Sequence, residues 1–231
     1  MNIADHLKKA AAEHAVNFVK SGMVIGLGTG STAYYATMRI GALLKDNSLN
    51  NILAVPSSKE TESLARSLDI PLTDFKNNSV LDIYIDGADE VDENLNLIKG
   101  GGGAMLREKI VAQASKEFIV VVDASKISAR LGEKWKVPVE VFPFAFDVEA
   151  HFLAGNSKGV YPRVDNDGAL FITDEGNYII DVDFGIIDNP ASAADMLNNR
   201  AGVAAHGLFV GFASQVVSAS GEGISILRKF N

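Results

Sequence analysis

A chain of 231 residues with 47% hydrophobic and 22% charged side chains has room for one large globular domain, or for one domain with a smaller companion. Its net charge of −8 argues against a general nucleic-acid binder, which needs clustered Lys and Arg, and the absence of cysteine excludes disulfides, thiolate zinc sites and a cysteine nucleophile. No apolar stretch reaches membrane length and the N-terminus lacks the pattern of a secretory leader, so a cytoplasmic protein with no membrane partner is expected.

Ile3, Leu7, Ala11, Ala15 and Phe18 recur at helical spacing, which predicts an amphipathic helix over the first twenty residues with Lys8 and Lys9 on its solvated face. The apolar run 23–27 breaks into Gly26-Leu27-Gly28-Thr29-Gly30-Ser31-Thr32, and 33–44 is again helical in pattern. Strand, glycine loop and helix in that order can cradle an anion, because the backbone approaches closely and the helix N-terminus offers unpaired N–H groups. The loop is neither a P-loop, since no Lys follows its last glycine, nor a dinucleotide fingerprint, since Ser31 replaces the third glycine. Taken alone it is equally a tight turn with Ser31 or Thr32 as helix cap. A strand at 52–55 ends in Pro56-Ser57 where a ribose-binding acid would stand in a nicotinamide enzyme. Ser57 with Glu60 forms a capping-box pattern opening a helix to Leu68, and 70–75 is the next expected strand.

Strands alternating with helices predict an α/β fold with a parallel sheet. The strand 81–85 delivers Asp86 and Asp89 to its C-terminal end, the edge at which open α/β sheets bind ligands. An acidic surface turn is the plain alternative, and a calcium loop is poorly supported because the glycine follows the first Asp directly. After 95–98 come Lys99 and four glycines, Gly100 to Gly103, each costing about 0.5–1 kcal/mol against alanine in regular structure, so backbone is expected to approach something closely. Glu108 then lies one turn into a helix beside Met105 and Ala112, where an apolar border could raise its pKa toward that of a useful base, although a helical Glu next to Lys109 is more commonly exposed. The run FIVVV at 118–122 predicts a central strand, ending in Asp123-Ala124-Ser125-Lys126.

The texture then changes. Trp135-Lys136-Val137-Pro138 is expected to be a linker, followed by strand 139–142, helix 147–154, three short strands parted by turns at Asn166-Asp167-Gly168 and Glu175-Gly176-Asn177, helix 191–198 and strand 203–210. This order predicts a small α+β domain over 132–208, with 1–131 and 209–231 forming the sheet domain and a hairpin (215–218, 224–227) rejoining it. The four histidines show no metal spacing and are expected to be structural or surface residues.

Taken together, Gly-Thr-Gly-Ser-Thr at 28–32, Asp-Gly-Ala-Asp-Glu at 86–90, Lys-Gly-Gly-Gly at 99–102, Arg-Glu-Lys at 107–109, Asp-Ala-Ser-Lys at 123–126 and Pro-Val-Glu-Val at 138–141 closely resemble ribose-5-phosphate isomerase, type A. The six motifs keep that family's order and approximate spacing. The resemblance implies a Rossmann-like catalytic domain with a smaller ferredoxin-like domain, and an enzyme without metal or cofactor that acts on a small sugar phosphate of the pentose phosphate pathway as a homodimer or homotetramer. It implies substrate contacts from Thr29, Gly30, Ser31 and Thr32, from Asp86, Gly87, Ala88 and Asp89, from Lys99, Gly100, Gly101 and Gly102, and from Lys126; Lys8 is a further candidate to add charge at the phosphate. Glu108 matches the family's proton acceptor, with Asp86 and Asp89 at the sugar oxygens and Lys99 at the oxyanion. Gly103 and Leu106 depart from the alanine and threonine of some relatives, at positions that carry no ionisable group. A coenzyme A transferase with a glutamate nucleophile and a sugar-phosphate-sensing regulator are the competing classes; the second is weakened by the lack of a helix-turn-helix segment ahead of the sheet domain.

Overall fold

A computed structural model describes residues 3–228. Its first elements are α1 (Ile3–Val16), β1 (Val24–Leu27), α2 (Ser31–Lys45), β2 (Leu53–Pro56), α3 (Lys59–Ser67) and β3 (Leu81–Asp86). Two short strands, β4 (Glu90–Val91) and β5 (Leu97–Ile98), precede α4 (Met105–Gln113) and β6 (Ser115–Asp123). Next come β7 (Val137–Val141), α5 (Phe146–Ala154), β8 (Gly159–Pro162), β9 (Tyr178–Asp183) and α6 (Pro190–Asn198). The chain closes with β10 (Val203–His206), β11 (Leu208–Phe209) and the hairpin β12 (Gln215–Ser220) and β13 (Gly223–Arg228). These elements form two compact units, Met1–Ala88 with Arg107–Ser125 and Phe212–Asn231, and Asp89–Leu106 with Lys126–Gly211.

The first unit is a six-stranded sheet in the order β13-β12-β6-β3-β1-β2. All neighbours are parallel except the edge strand β13, which turns back antiparallel on β12 as the hairpin pattern predicted. Burial on both faces explains the unbroken apolarity of FIVVV in β6. On one face Ile25, Leu27, Ile83, Ile85, Ile119 and Val121 pack against the small faces of α1 and α2. On the other, Gly26 of β1 lies level with Tyr84 of β3; a Cβ at Gly26 would sit 2.6 Å from the Tyr84 ring and from Val111 of α4. Glycine in this strand is therefore required by the neighbouring ring rather than by its own dihedrals. The chain moves from β1 outward to β2, then returns to lay β3 on the other side of β1. That reversal makes a topological switch point at the C-terminal ends of β1 and β3.

The second unit contains a four-stranded antiparallel sheet in the order β10-β7-β9-β8, crossed by α5 and α6. Strand, helix, strand, strand, helix, strand in this spatial order is the ferredoxin-like arrangement. Its core is Val137, Val139, Val141, Leu153, Ile180, Val182 and Leu197. A smaller sheet, β11-β5-β4, carries the acidic and glycine-rich segments.

Several local expectations are corrected. The first helix stops at Val16, and its expected first two residues lie outside the described residues. Residues 70–75 touch β2 only through an isolated Ala54–Leu72 bridge, because Pro71 brings a carbonyl but no N–H to the ladder. The cap of α3 is Ser58, whose Oγ accepts from Thr61 N at 3.0 Å; Ser57 instead prolongs β2 by donating its N–H to Leu27 O, so no Ser57–Glu60 capping box forms. Val137 and Pro138 belong to β7 rather than to a linker. The single strand expected at 203–210 breaks at Gly207 into two strands of different sheets, since Gly207 N donates to Pro138 O and its carbonyl accepts from Lys99 N.

Candidate active site

In the first unit the site grows from the strand ends at the switch point. Asp86, the last residue of β3, is fully buried. Its Oδ1 accepts from Thr29 N at 3.0 Å and Gly87 N at 2.7 Å, and its Oδ2 accepts from the Tyr84 hydroxyl. The loop passes this carboxylate only because residue 28 is glycine: a Cβ there would lie 2.6 Å from the Asp86 Cα. Behind it runs a line of hydroxyls. Thr29 Oγ1 meets Ser57 Oγ at 2.7 Å and Thr61 Oγ1 at 3.3 Å, and Thr61 donates to Gly28 O at 2.9 Å. The Tyr84 ring stacks on Phe118 with centroids 4.7 Å apart, and its hydroxyl is pushed well above the ordinary range by burial and by the charges of Asp86 and Glu108, with a hydrogen bond to Ser57 acting the other way. It is a fixed donor to Asp86 at every physiological pH.

The same loop leads into α2, whose N-cap is Gly30 at φ 91° with no side-chain cap. Ser31 and Thr32 are the first helical residues, so neither serves as the cap. Lys8, assigned to a solvated face by its spacing, reaches across from α1 and donates to Ser31 Oγ at 3.0 Å. A recess of about 120 Å³ lined by Gly28, Gly30, Tyr34, Glu60, Thr61 and Leu64 opens beside this loop. Glu108, on the first turn of α4, is 4% exposed, which excludes the surface reading of this glutamate.

The second unit holds the other half of the motif set. In the acidic cluster each carboxylate takes up different backbone N–H groups. Asp89 Oδ2 accepts from Gly101 N at 2.7 Å, Glu90 from the amides of Gly132, Lys134 and Trp135, and Asp92 from those of Asn94 and Asn96. Burial pushes the Asp89 carboxyl up, against the Gly101 N–H and the positive charges of Lys99, Lys126 and Arg163, which hold it down. Lys99, at the end of β5, is 3% exposed with its ammonium 5.7 Å from the centroid of Phe209. Of the four glycines, Gly100 and Gly103 adopt φ of 100° and 83°, Gly101 leaves room for Asp89, and Gly102 faces open space. Gly103 also abuts Phe171, where a Cβ would approach the ring to 2.5 Å. Lys126 lies over the Trp135 ring at 4.9 Å.

Three residues escaped the sequence reading. Tyr84 and Arg163 gave no local signal, because their partners are set by strand register and by a turn 60 residues away. Glu140 did give one: an ionisable residue inside the apolar strand VPVEV. It is buried, accepts from Thr173 Oγ1 at 2.8 Å and Asn177 Nδ2 at 2.9 Å, and also bonds the backbone of Leu106 at the start of α4, while burial raises its carboxyl. Among the histidines, His206 is buried against Asn198, a structural role as expected.

Buried carboxylates, a buried lysine and a glycine turn suit proton transfer beside a developing oxyanion. Comparison with known proteins bears on that chemistry. Residues 53–223 match the family model of ribose 5-phosphate isomerase A (phosphoriboisomerase A). The chain is 51% identical over 228 residues to ribose-5-phosphate isomerase A of Desulfatibacillum aliphaticivorans, covering 99% of each. It is 48% identical to the Gluconobacter oxydans enzyme over 94% of each chain. Ribose 5-phosphate isomerase from Plasmodium falciparum superposes with a TM-score of 0.94 at 41% identity, over 98% of this chain and 100% of that one. A D-ribose-5-phosphate isomerase solved in complex with phospho-erythronic acid does so with 0.95 at 40% identity, over 99% and 100%. Matches of this length and identity leave one assignment: the chain belongs to the ribose 5-phosphate isomerase A family.

Proposed function

We propose that this chain interconverts D-ribose 5-phosphate and D-ribulose 5-phosphate through an enediolate, with Glu108 as the base. The observation that carries the assignment is the burial of Glu108 on α4, where water is excluded from a carboxylate in a chain of this family. Glu108 takes the proton from C2 of the open-chain aldehyde, the electron pair moves into the C1–C2 bond, and the C1 oxygen becomes the oxyanion. The same carboxyl then returns the proton to C1 on the same face, while a proton passes from the C2 oxygen to the C1 oxygen.

Lys99 and the N–H groups of Gly100 and Gly102 in the glycine turn are assigned to the developing oxyanion, the Gly101 N–H being held by Asp89. Asp86, held by Tyr84 and two amides, is assigned to the oxygen-bound protons, including removal of the C1 hydroxyl proton as the furanose ring opens. Asp89 orients the sugar hydroxyls, alongside the backbone at Gly87 and Ala88. Phosphate belongs at Thr29, Gly30, Ser31 and Thr32, where the uncapped α2 N-terminus and the Lys8 ammonium supply positive potential, with Lys126 adding to it. Phospho-erythronic acid, bound by a structural neighbour, carries a planar carboxylate where the substrate forms its enediolate, and it suits this chain as a reaction-state probe. The proposal extends to a cytoplasmic location and to a homodimer or homotetramer, and self-association is supported by the exposed apolar side chains Phe142, Phe144 and Val148.

Ketose formation from ribose 5-phosphate by the purified chain tests the activity. The rate is expected to be the same with and without a chelator. Absence of turnover, or acyl exchange with a coenzyme A thioester, would overturn the assignment. Within it, Lys8→Met is expected to raise KM about fivefold with little change in kcat, because a phosphate contact worth about 1 kcal/mol acts equally on ground and transition states. Steady-state kinetics check this; an unchanged KM would remove Lys8 from the phosphate site.

A further inference from the structure

Arg163 follows β8 and belongs to none of the six motifs that carry the family resemblance. Its guanidinium forks onto Asp181 of β9, Nε to Oδ2 at 3.0 Å and Nη2 to Oδ1 at 2.5 Å. The remaining nitrogen, Nη1, turns to the glycine run and donates to Gly100 O at 2.8 Å and Gly101 O at 3.2 Å. The arginine side chain is only 14% exposed and rests against Phe171, the ring that also abuts Gly103. One residue therefore grips two successive carbonyls of the four-glycine run, and Asp181 fixes the plane of the grip. Carbonyl and N–H of one peptide unit point in opposite directions. Pinning Gly100 O thus sets the direction of the Gly101 N–H, which bonds Asp89, and pinning Gly101 O sets that of the Gly102 N–H.

We propose that Arg163, held by Asp181, is a positioning residue for the isomerisation, aiming the N–H groups of the glycine turn at Asp89 and at the reaction's oxyanion. This rests on the roles given above to Asp89 and the turn. It also explains how four glycines serve as a rigid oxyanion device: the entropy of the run is countered by a guanidinium from another strand. Lysine cannot replace it, because an ammonium lacks the planar fork that meets a carboxylate and two carbonyls at once.

Arg163 also lines a recess of about 470 Å³ with Gly101, Asp181, Trp135, Lys136 and Tyr161, open enough to admit a small cation. The experiment compares Arg163→Ala, Arg163→Lys and Asp181→Asn with Glu108→Gln and the unaltered protein, measuring kcat, KM and the pH profile of kcat/KM. Arg163→Ala is expected to lose about 100-fold in kcat, the scale of a small misplacement at a reacting centre, with KM less affected. Added guanidinium is expected to restore part of the loss in Arg163→Ala but none in Arg163→Lys. Removing this cation also removes one of the charges that hold the Asp89 carboxyl down. Its pKa rises, the ionised form is lost sooner as pH falls, and the acid limb of kcat/KM moves to higher pH. Wild-type kcat and pH profile in Arg163→Ala, with Glu108→Gln inactive, would overturn the positioning role and leave the base assignment standing. Wild-type turnover in Glu108→Gln would instead defeat the reading on which it rests. Should Arg163→Ala fail to fold, Asp181→Asn decides: a kcat loss of about tenfold or more supports the clamp, and unchanged kinetics overturn it.

Discussion

Glu108→Gln is expected to lower kcat by about 10²–10⁴-fold, the contribution of a positioned general base, with KM changed far less. Glutamine keeps the size of the side chain and a hydrogen-bonding head but cannot accept the C2 proton. Glu108 is buried in α4, so the amide also removes a charge from a low-dielectric place, and the fold should withstand the change. Two measurements separate lost chemistry from lost structure. Thermal unfolding should be close to that of the unaltered chain, and loss of deuterium from C2-labelled ribose 5-phosphate should slow in step with ketose formation. A folded variant that turned over at the normal rate would show that another group moves the carbon-bound proton.

The elements legible in the sequence are those whose signal is carried by their own side chains. FIVVV forms a central strand because a parallel sheet covered on both faces needs apolar residues at every position, and LDIYI departs from this only at Asp82, half-buried near the start of β3, whose carboxylate accepts from Val24 N and Lys116. Asp86 was legible because a polar residue closing such a run must sit at a strand end. The misses involve partners far along the chain. Ser57 scores as well as Ser58 as a helix cap by local pattern, and only the Ser57 amide bonding Leu27 O on β1 assigns it to the strand. Residues 203–210 are apolar enough for one strand, but β7 and β5 draw the backbone apart at Gly207. Lys8 was legible only as a candidate charge for the phosphate, since it spaces like a surface residue and its contact with Ser31 depends on how α1 crosses α2. Asp89 was legible as a polar residue near a strand end, yet its tie to Gly101 depends on the β4–β5 pairing, which no local pattern announces.

The second large effect is expected at Lys99. Lys99→Met should reduce kcat by about 10²–10³-fold, the usual loss when one preorganised oxyanion donor is removed. Methionine retains an unbranched stem to fill the space beside Phe209, and the backbone bond from residue 99 N to Gly207 O at 2.9 Å involves no side chain, so β5 should keep its place. The ammonium also holds the Asp89 carboxyl down, so its loss should move the acid limb of kcat/KM to higher pH, in the same direction as loss of Arg163. Binding of two probes distinguishes an oxyanion contact from a general electrostatic one. If Lys99 meets the enediolate oxygens, phospho-erythronic acid should weaken by a factor approaching the loss in kcat/KM, because its carboxylate shares their charge and plane, while inhibition by inorganic phosphate should barely change. Equal weakening of both probes would mean that Lys99 acts only as diffuse positive potential, and the stabilising donors would then have to be the N–H groups of the glycine turn.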